Sequence, residues 1–154
     1  MTCTINTAVA GRKIRELTAE PKLCGDPDVV FVLIGLNDTD QRKSIHDTYK
    51  TMVSNVKKYN PDSEVILITY PYVLTGDYTG AQECINAAIR QVATETNTRL
   101  IDTDTGLNIN LGDGIHPNIE GNLYIGQTVA NAINMTGVTT DTTVVTTNNA
   151  NVVQ

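Results

Sequence analysis

Two short runs, Val29-Val30-Phe31-Val32-Leu33-Ile34 and Val65-Ile66-Leu67-Ile68, are almost continuously apolar and rich in β-branched side chains. A strand can carry such a run only if both of its faces are covered, as they are inside a parallel sheet. Arg99-Leu100-Ile101-Asp102 is a weaker third run of the same kind. Between these runs the apolar period changes to that of helices. Ile45, Tyr49, Met52, Val53 and Val56 fall on one helical face, and Ile85, Ala88, Ile89, Val92 and Ala93 repeat the pattern. Ile14 and Leu17 predict a shorter helix before Pro21. Ile125, Val129 and Ile133 predict a last helix after Pro117, which is placed to open it at the first helical position. Strands that alternate with helices imply right-handed crossovers and a three-layer α/β/α domain. Ligands of such folds bind beyond the carboxyl ends of the strands, so the chemistry should follow the strands.

The remaining composition narrows the function classes. A chain of 154 residues suffices for one domain with one core. A net charge of −6 argues against a phosphate-backbone partner, which requires clustered lysine and arginine. Arg12, Lys13 and Arg15 do gather, and read as the solvated face of the first helix. The longest apolar run, Val29 to Leu36, is too short to cross a bilayer, so no membrane partner is expected. No signal peptide is visible; a processed chain would look the same, so no compartment is assigned. Cys3, Cys24 and Cys84 have no metal-ligand spacing and cannot all pair, which makes them free thiols, with Cys84 expected to be buried. No metal and no cofactor is expected.

After Gly137 the character of the sequence changes. Residues 1–137 form the expected α/β domain, whereas Val138 to Gln154 consists almost wholly of Thr, Val, Asn and Asp. That stretch reads as a disordered tail or as an extended arm that adds a strand to a neighbour, making a homo-oligomer. The β propensity of Thr142 to Thr147 favours the arm.

Two loops carry candidate chemistry. In Asp113-Gly114-Ile115-His116-Pro117-Asn118 a carboxylate three residues before a histidine can bend back to accept the imidazole Nδ1–H. The tautomer is then fixed and Nε2 is left as a general base. A surface turn with an incidental histidine would have the same spacing. In Gly35-Leu36-Asn37-Asp38, at the carboxyl end of the best strand, a carboxamide is placed to donate to an oxyanion. An Asx turn capping the next helix would explain Asn37 equally well.

Taken together and in order, these blocks resemble the SGNH/GDSL-type hydrolases. VVFVLIGLND at 29–38 is similar to the third conserved block of that family, whose asparagine belongs to the oxyanion hole. DGIHPN at 113–118 is similar to the fifth, which gives the acid and base of the triad. Ile5-Asn6-Thr7-Ala8-Val9-Ala10-Gly11 resembles the second, whose glycine N–H is another oxyanion donor and falls on Gly11. The resemblance runs from about Ile5 to Ile133. It implies a flavodoxin-like parallel sheet, an ester substrate such as an acylated carbohydrate, and a site built from His116, Asp113, Asn37 and Gly11.

One block has no counterpart. The family's nucleophile ends a strand in Gly-Asp-Ser, and that tripeptide occurs nowhere in these 154 residues. Ser44 and Ser54 fall on the helix after Asn37, and Ser63 falls in the Asn60-Pro61-Asp62 turn. None follows a strand, so none is expected to be the nucleophile. The first central strand of the sheet is therefore expected to be absent from this chain. Another segment or chain would bring both the strand and the serine, or the 138–154 arm would enter the slot. The alternative class is a catalytically inactive SGNH-like subunit of a filament, fibre or virion. Asn134-Met135-Thr136 would accept a glycan on a eukaryotic secretory route; Asn37-Asp38-Thr39 also matches, but its proposed role requires it bare.

Overall fold

The computed structural model describes residues 6–41, 44–71, 80–104 and 113–133, with no side-chain detail at 39–41. Helix α1 (Ile14–Ala19) precedes strand β1 (Val29–Val32). A 3-10 turn (Leu36–Gln41), helix α2 (Ile45–Tyr59) and strand β2 (Glu64–Ile68) follow. Helix α3 (Ala81–Glu95), strand β3 (Arg99–Ile101) and helix α4 (Ile119–Ala132) complete the described chain. Both strand pairings are parallel, in the spatial order β1-β2-β3, with Val30 opposite Val65 and Leu67 opposite Leu100. This is the α/β architecture expected from the two apolar runs.

Alternation within the strands divides the core between the two faces of the sheet. Val30, Val32, Val65 and Leu67 join Ile14, Tyr49, Met52, Val53, Ile85, Ile89 and Val92 in the main cluster beneath α1, α2 and α3. Ile66, Ile68 and Ile101 point the other way and are covered by Val129 and Ile133 around the end of α4. That second layer stops short of β1. Phe31 and Leu33, on the same side as Ile66, remain 39% exposed. Among the described residues β1 pairs only with β2, so its other edge is open.

Four local details differ from the sequence expectations. Cys84 is exposed, because the buried faces of α3 run through Ala81, Ile85, Ala88 and Val92 and through Gln82, Asn86, Ile89 and Ala93. Its neighbour Ile85 turns inward, and a 100° step per residue leaves Cys84 outside both faces. Pro117 does not open α4; Asn118 is the N-cap, accepting from the Gly121 N–H at 2.9 Å. A side chain that accepts from the first turn suits this position better than a ring with no N–H. Ser44 lies at the N-cap of α2 rather than on it. The strand over Val29–Ile34 is shorter than its apolar run, because Gly35 at φ +131° turns the chain out of the sheet. Only glycine fits there: a Cβ would stand 3.3 Å from Ile85 Cγ2 and 3.7 Å from Ile14 Cδ1. The 138–154 arm, Cys3, Ile5 and Asn134 lie outside the described residues.

Candidate active site

The loop after β3 carries the first pair of candidate residues. Asp113 Oδ2 lies 2.6 Å from His116 Nδ1, while Asp113 Oδ1 accepts the backbone N–H groups of Ile115 (2.9 Å) and His116 (2.7 Å). One carboxylate thus closes the turn and orients the ring, with Gly114 at φ +81° supplying the left-handed step. A carboxylate only accepts, so Nδ1 carries the proton and Nε2 presents its lone pair. Among the described residues Nε2 has no partner. The imidazole side chain is 77% exposed, so a substrate can reach it. The His116 ring and then the two backbone donors hold the Asp113 carboxyl well below the usual carboxylate range. The acid of the pair is therefore ionised throughout the neutral range.

The corner after β1 carries the other candidates. Asn37 is exposed, and one of its two amide N–H bonds goes to the Arg12 carbonyl at 3.2 Å. That bond fixes the plane of the carboxamide and leaves the other N–H as a donor. Asp38 is 1% exposed and accepts the Ile14 N–H at 3.0 Å. Gly11 stands in the turn just before, at φ +74°, with the Arg12 N–H returning to the Val9 carbonyl at 3.2 Å. The Asn37–Arg12 bond brings the 3-10 turn and the Gly11 segment together. Leu36 and Ile115, the neighbours of Asn37 and His116, pack against one core cluster.

Ser54 and Ser63 stand apart from this chemistry. Ser54 is on the exposed face of α2, and Ser63 Oγ is bound to the Pro27 carbonyl at 2.5 Å. Ser63 sits at the amino end of β2, opposite the edge from which the Asn37 corner departs.

A fold and a turn of this kind are compatible with several hydrolase lineages; comparison with known proteins decides between them. The model of the GDSL-like Lipase/Acylhydrolase family matches residues 3–123. The chain belongs to that family. An acetylxylan esterase of Geobacillus stearothermophilus is 25% identical over 149 residues, covering 80% of this chain and 68% of the relative. Among solved structures, an acetyl xylan esterase superposes with a TM-score of 0.67 at 20% identity, over 81% of this chain and 78% of the other. An alpha/beta hydrolase enzyme from the metagenome of Lake Arreo, Spain, gives 0.63 at 23% identity, over 79% and 68%. A carbohydrate esterase family 3 protein from Talaromyces cellulolyticus gives 0.62 at 19%, over 81% and 68%. These structures share the fold of this chain.

Sequence reasoning missed a polar stripe on α3, next to these loops. Asn86 bonds both the N–H and the carbonyl of Tyr70, at 2.8 and 2.9 Å, and Gln82 Nε2 donates to the Tyr70 carbonyl and to Asp104. Arg90 forks onto Asp102 at 2.7 and 3.0 Å and reaches Asp104 at 2.9 Å. The spacing of 82, 86 and 90, four residues apart, was the available signal. The stripe ties the exits of β2 and β3 to one helix.

Proposed function

We propose that this chain provides the base, its orienting acid and the oxyanion donors of a serine ester hydrolase, with O-acetyl or other acyl esters of carbohydrate as substrates. The observation that carries the reading is the Asp113–His116 pair, which leaves an exposed Nε2 lone pair on a ring of fixed tautomer. The substrate class rests on the acetylxylan esterase relative.

The nucleophile is a serine from a segment other than these 154 residues, since no Gly-Asp-Ser occurs among them. In the proposed reaction that serine Oγ attacks the acyl carbon while His116 Nε2 takes its proton. The carbonyl oxygen becomes an oxyanion held by the second N–H of Asn37 and the backbone N–H of Gly11. Collapse expels the alcohol, which receives the proton from His116, and leaves an acyl-serine. Water, deprotonated by His116, then attacks the acyl carbon, and the serine leaves with that proton. Asp113 keeps the ring oriented and stabilises the imidazolium in both halves.

The open edge of β1 and the exposed Phe31 and Leu33 support entry of the serine-bearing strand there. Only a parallel strand would end at the edge where Asn37 departs, delivering its last residues to His116.

The test adds to the chain a synthetic peptide with an apolar strand ending in Gly-Asp-Ser, and measures hydrolysis of a chromogenic acetyl ester and of acetylated xylan. Turnover that requires both components and is lost in His116→Ala supports the reading, as does serine-directed labelling confined to the peptide. Strong activity of the chain alone, lost on changing Ser44, Ser54 or Ser63 to alanine, would place the nucleophile inside it. A peptide that binds without turnover would favour the inactive-subunit alternative.

A further inference from the structure

The two proposed oxyanion donors lie on different segments, 26 positions apart in the chain. Their relative position must be held to a fraction of an ångström for both to meet one oxygen. The structure offers one device for that purpose, in two adjacent residues of the 3-10 turn after β1. Asn37 donates to the Arg12 carbonyl at 3.2 Å, and Asp38 accepts the Ile14 N–H at 3.0 Å. The segment immediately after Gly11 is thus grasped twice, by a donor and by an acceptor, over only three residues.

The Asp38 bond is the stronger half. Its carboxyl group is buried to 1% exposure, where a hydrogen bond from a backbone N–H gains strength from the low local dielectric. It also meets a local need. Ile14 is the first residue of α1, and its N–H has no intrahelical partner. The N-cap is Lys13, whose side chain has no acceptor and makes no cap bond. Asp38 therefore supplies the cap from 24 residues away. Ile14 itself is fully buried, with its Cδ1 3.7 Å from where a Cβ on Gly35, just before the same turn, would stand, so the bond and the packing act on one position.

We propose that Asp38 is a positioning residue, which locks the Gly11 segment to the Asn37 turn so that both donors face a single oxyanion. This rests on the oxyanion reading of Asn37 and Gly11. Asp38 touches no reacting atom, so its loss acts through the geometry of its neighbours. It lowers kcat and leaves KM nearly unchanged, because the oxyanion exists only beyond the ground state.

The test compares the wild-type 154-residue chain with Asp38→Ala, Asp38→Asn and Asn60→Ala. Asn60 is a suitable control: a buried side chain that ties Pro21, Leu23 and Val56 together, away from the Asn37 turn. Nuclear magnetic resonance follows the Gly11 amide, the Asn37 side-chain amide and the exchange rate of the Ile14 amide. Asp38→Ala should speed Ile14 exchange at least about tenfold and displace both the Gly11 and Asn37 signals, since the cap is lost and the segment released. Asp38→Asn, which keeps an oxygen acceptor without the charge, should move all three in the same direction by less, and decides the matter if Asp38→Ala does not fold. Asn60→Ala should lower the melting temperature without moving the Gly11 and Asn37 signals. In the peptide-complemented assembly, kcat should follow the same order at constant KM. Gly11 and Asn37 signals that stay at wild-type positions in the folded Asp38 variants would overturn the proposal, and so would equal displacement in Asn60→Ala. These spectra need no turnover, so they decide the role of Asp38 even if complementation fails and the hydrolase reading falls.

Discussion

The Asp113–His116 turn and the Asn37–Asp38 corner are built in opposite ways. The turn is local: its acid, base, glycine and closing backbone bonds lie within four consecutive residues, with the acid and the base exposed. The corner is tertiary. Its bonds reach Arg12 and Ile14 across about two dozen residues, and a buried isoleucine and a buried carboxylate hold it. A catalytic base can be oriented by its own neighbours, because it needs only one partner. The proposed oxyanion hole needs two donors converging on one point, a requirement that neighbours in the chain cannot meet.

Several changes would break or sharpen this contrast. The largest effect is expected from His116→Ala, which should reduce turnover of the peptide-complemented assembly by about 10⁴-fold or more. Its melting temperature should stay close to wild type, as the side chain is exposed and its partners are local. A melting temperature several degrees lower would show that the turn is not self-contained.

Asn37→Ala should lower kcat by about 10²–10³-fold, the usual cost of one oxyanion donor. Because it also removes the Asn37–Arg12 bond, the Gly11 amide signal should shift, whereas His116 signals should not. A rise in KM at constant kcat would assign Asn37 to ground-state binding instead.

Ile14→Ala should cost about 2–5 kcal/mol of stability, measured by denaturant unfolding, since a fully buried side chain is lost from the main core. The comparison predicts an asymmetric spectrum: signals of the Asn37 corner move, and those of Asp113 and His116 do not. Equal movement of both would mean that the two halves are mechanically one unit.

The smallest effect is a pH dependence unrelated to catalysis. His46 presents Nδ1 to Asp47 at 2.8 Å and Nε2 to Glu95 at 3.2 Å, joining α2 to α3. A neutral ring can donate from only one nitrogen, so this arrangement needs the imidazolium. The Asp47 bond raises its pKa above the ordinary value, against partial desolvation and with help from Glu95. A raised folded-state pKa means that the contribution is complete below the unfolded value and is lost as pH rises through the folded one. Glu95 acts at the other end of the range. Lys50, then Gln91, pull its pKa down to about 2, so its contribution holds above the ordinary glutamate value and disappears as pH falls through about 2. The melting temperature of wild type should therefore decline modestly from about pH 6 to 8 relative to His46→Gln. Identical slopes for the two proteins would remove His46 from the link between the helices.

The legible parts of this protein were those with a period or a fixed spacing. The apolar runs at Val29 and Val65 announced strands covered on both faces, and the faces of α2 and α3 were readable from spacing alone. Asp113 and His116 were readable for a similar reason, because a three-residue spacing around a glycine nearly determines the hydrogen bond. Asn37 was recognisable as a candidate but not its attachment to Arg12, and the buried cap at Asp38 left no trace in the spacing. The stripe of Gln82, Asn86 and Arg90 had a helical spacing, yet its partners Tyr70, Asp102 and Asp104 lie on other elements.

The same division explains which residues the sequence by itself determined and which it left to the tertiary structure. The apolar period of the chain marks which segments are helices and strands, and neighbours within four residues fix the orientation of His116. The exposure of Cys84 and of Phe31, the β1 edge left unpaired among the described residues and the docking of the Gly11 segment onto Asn37 depend on what packs against what. Those contacts join positions separated by tens of residues. Each becomes favourable only when the sheet and its helices have already brought the partners together.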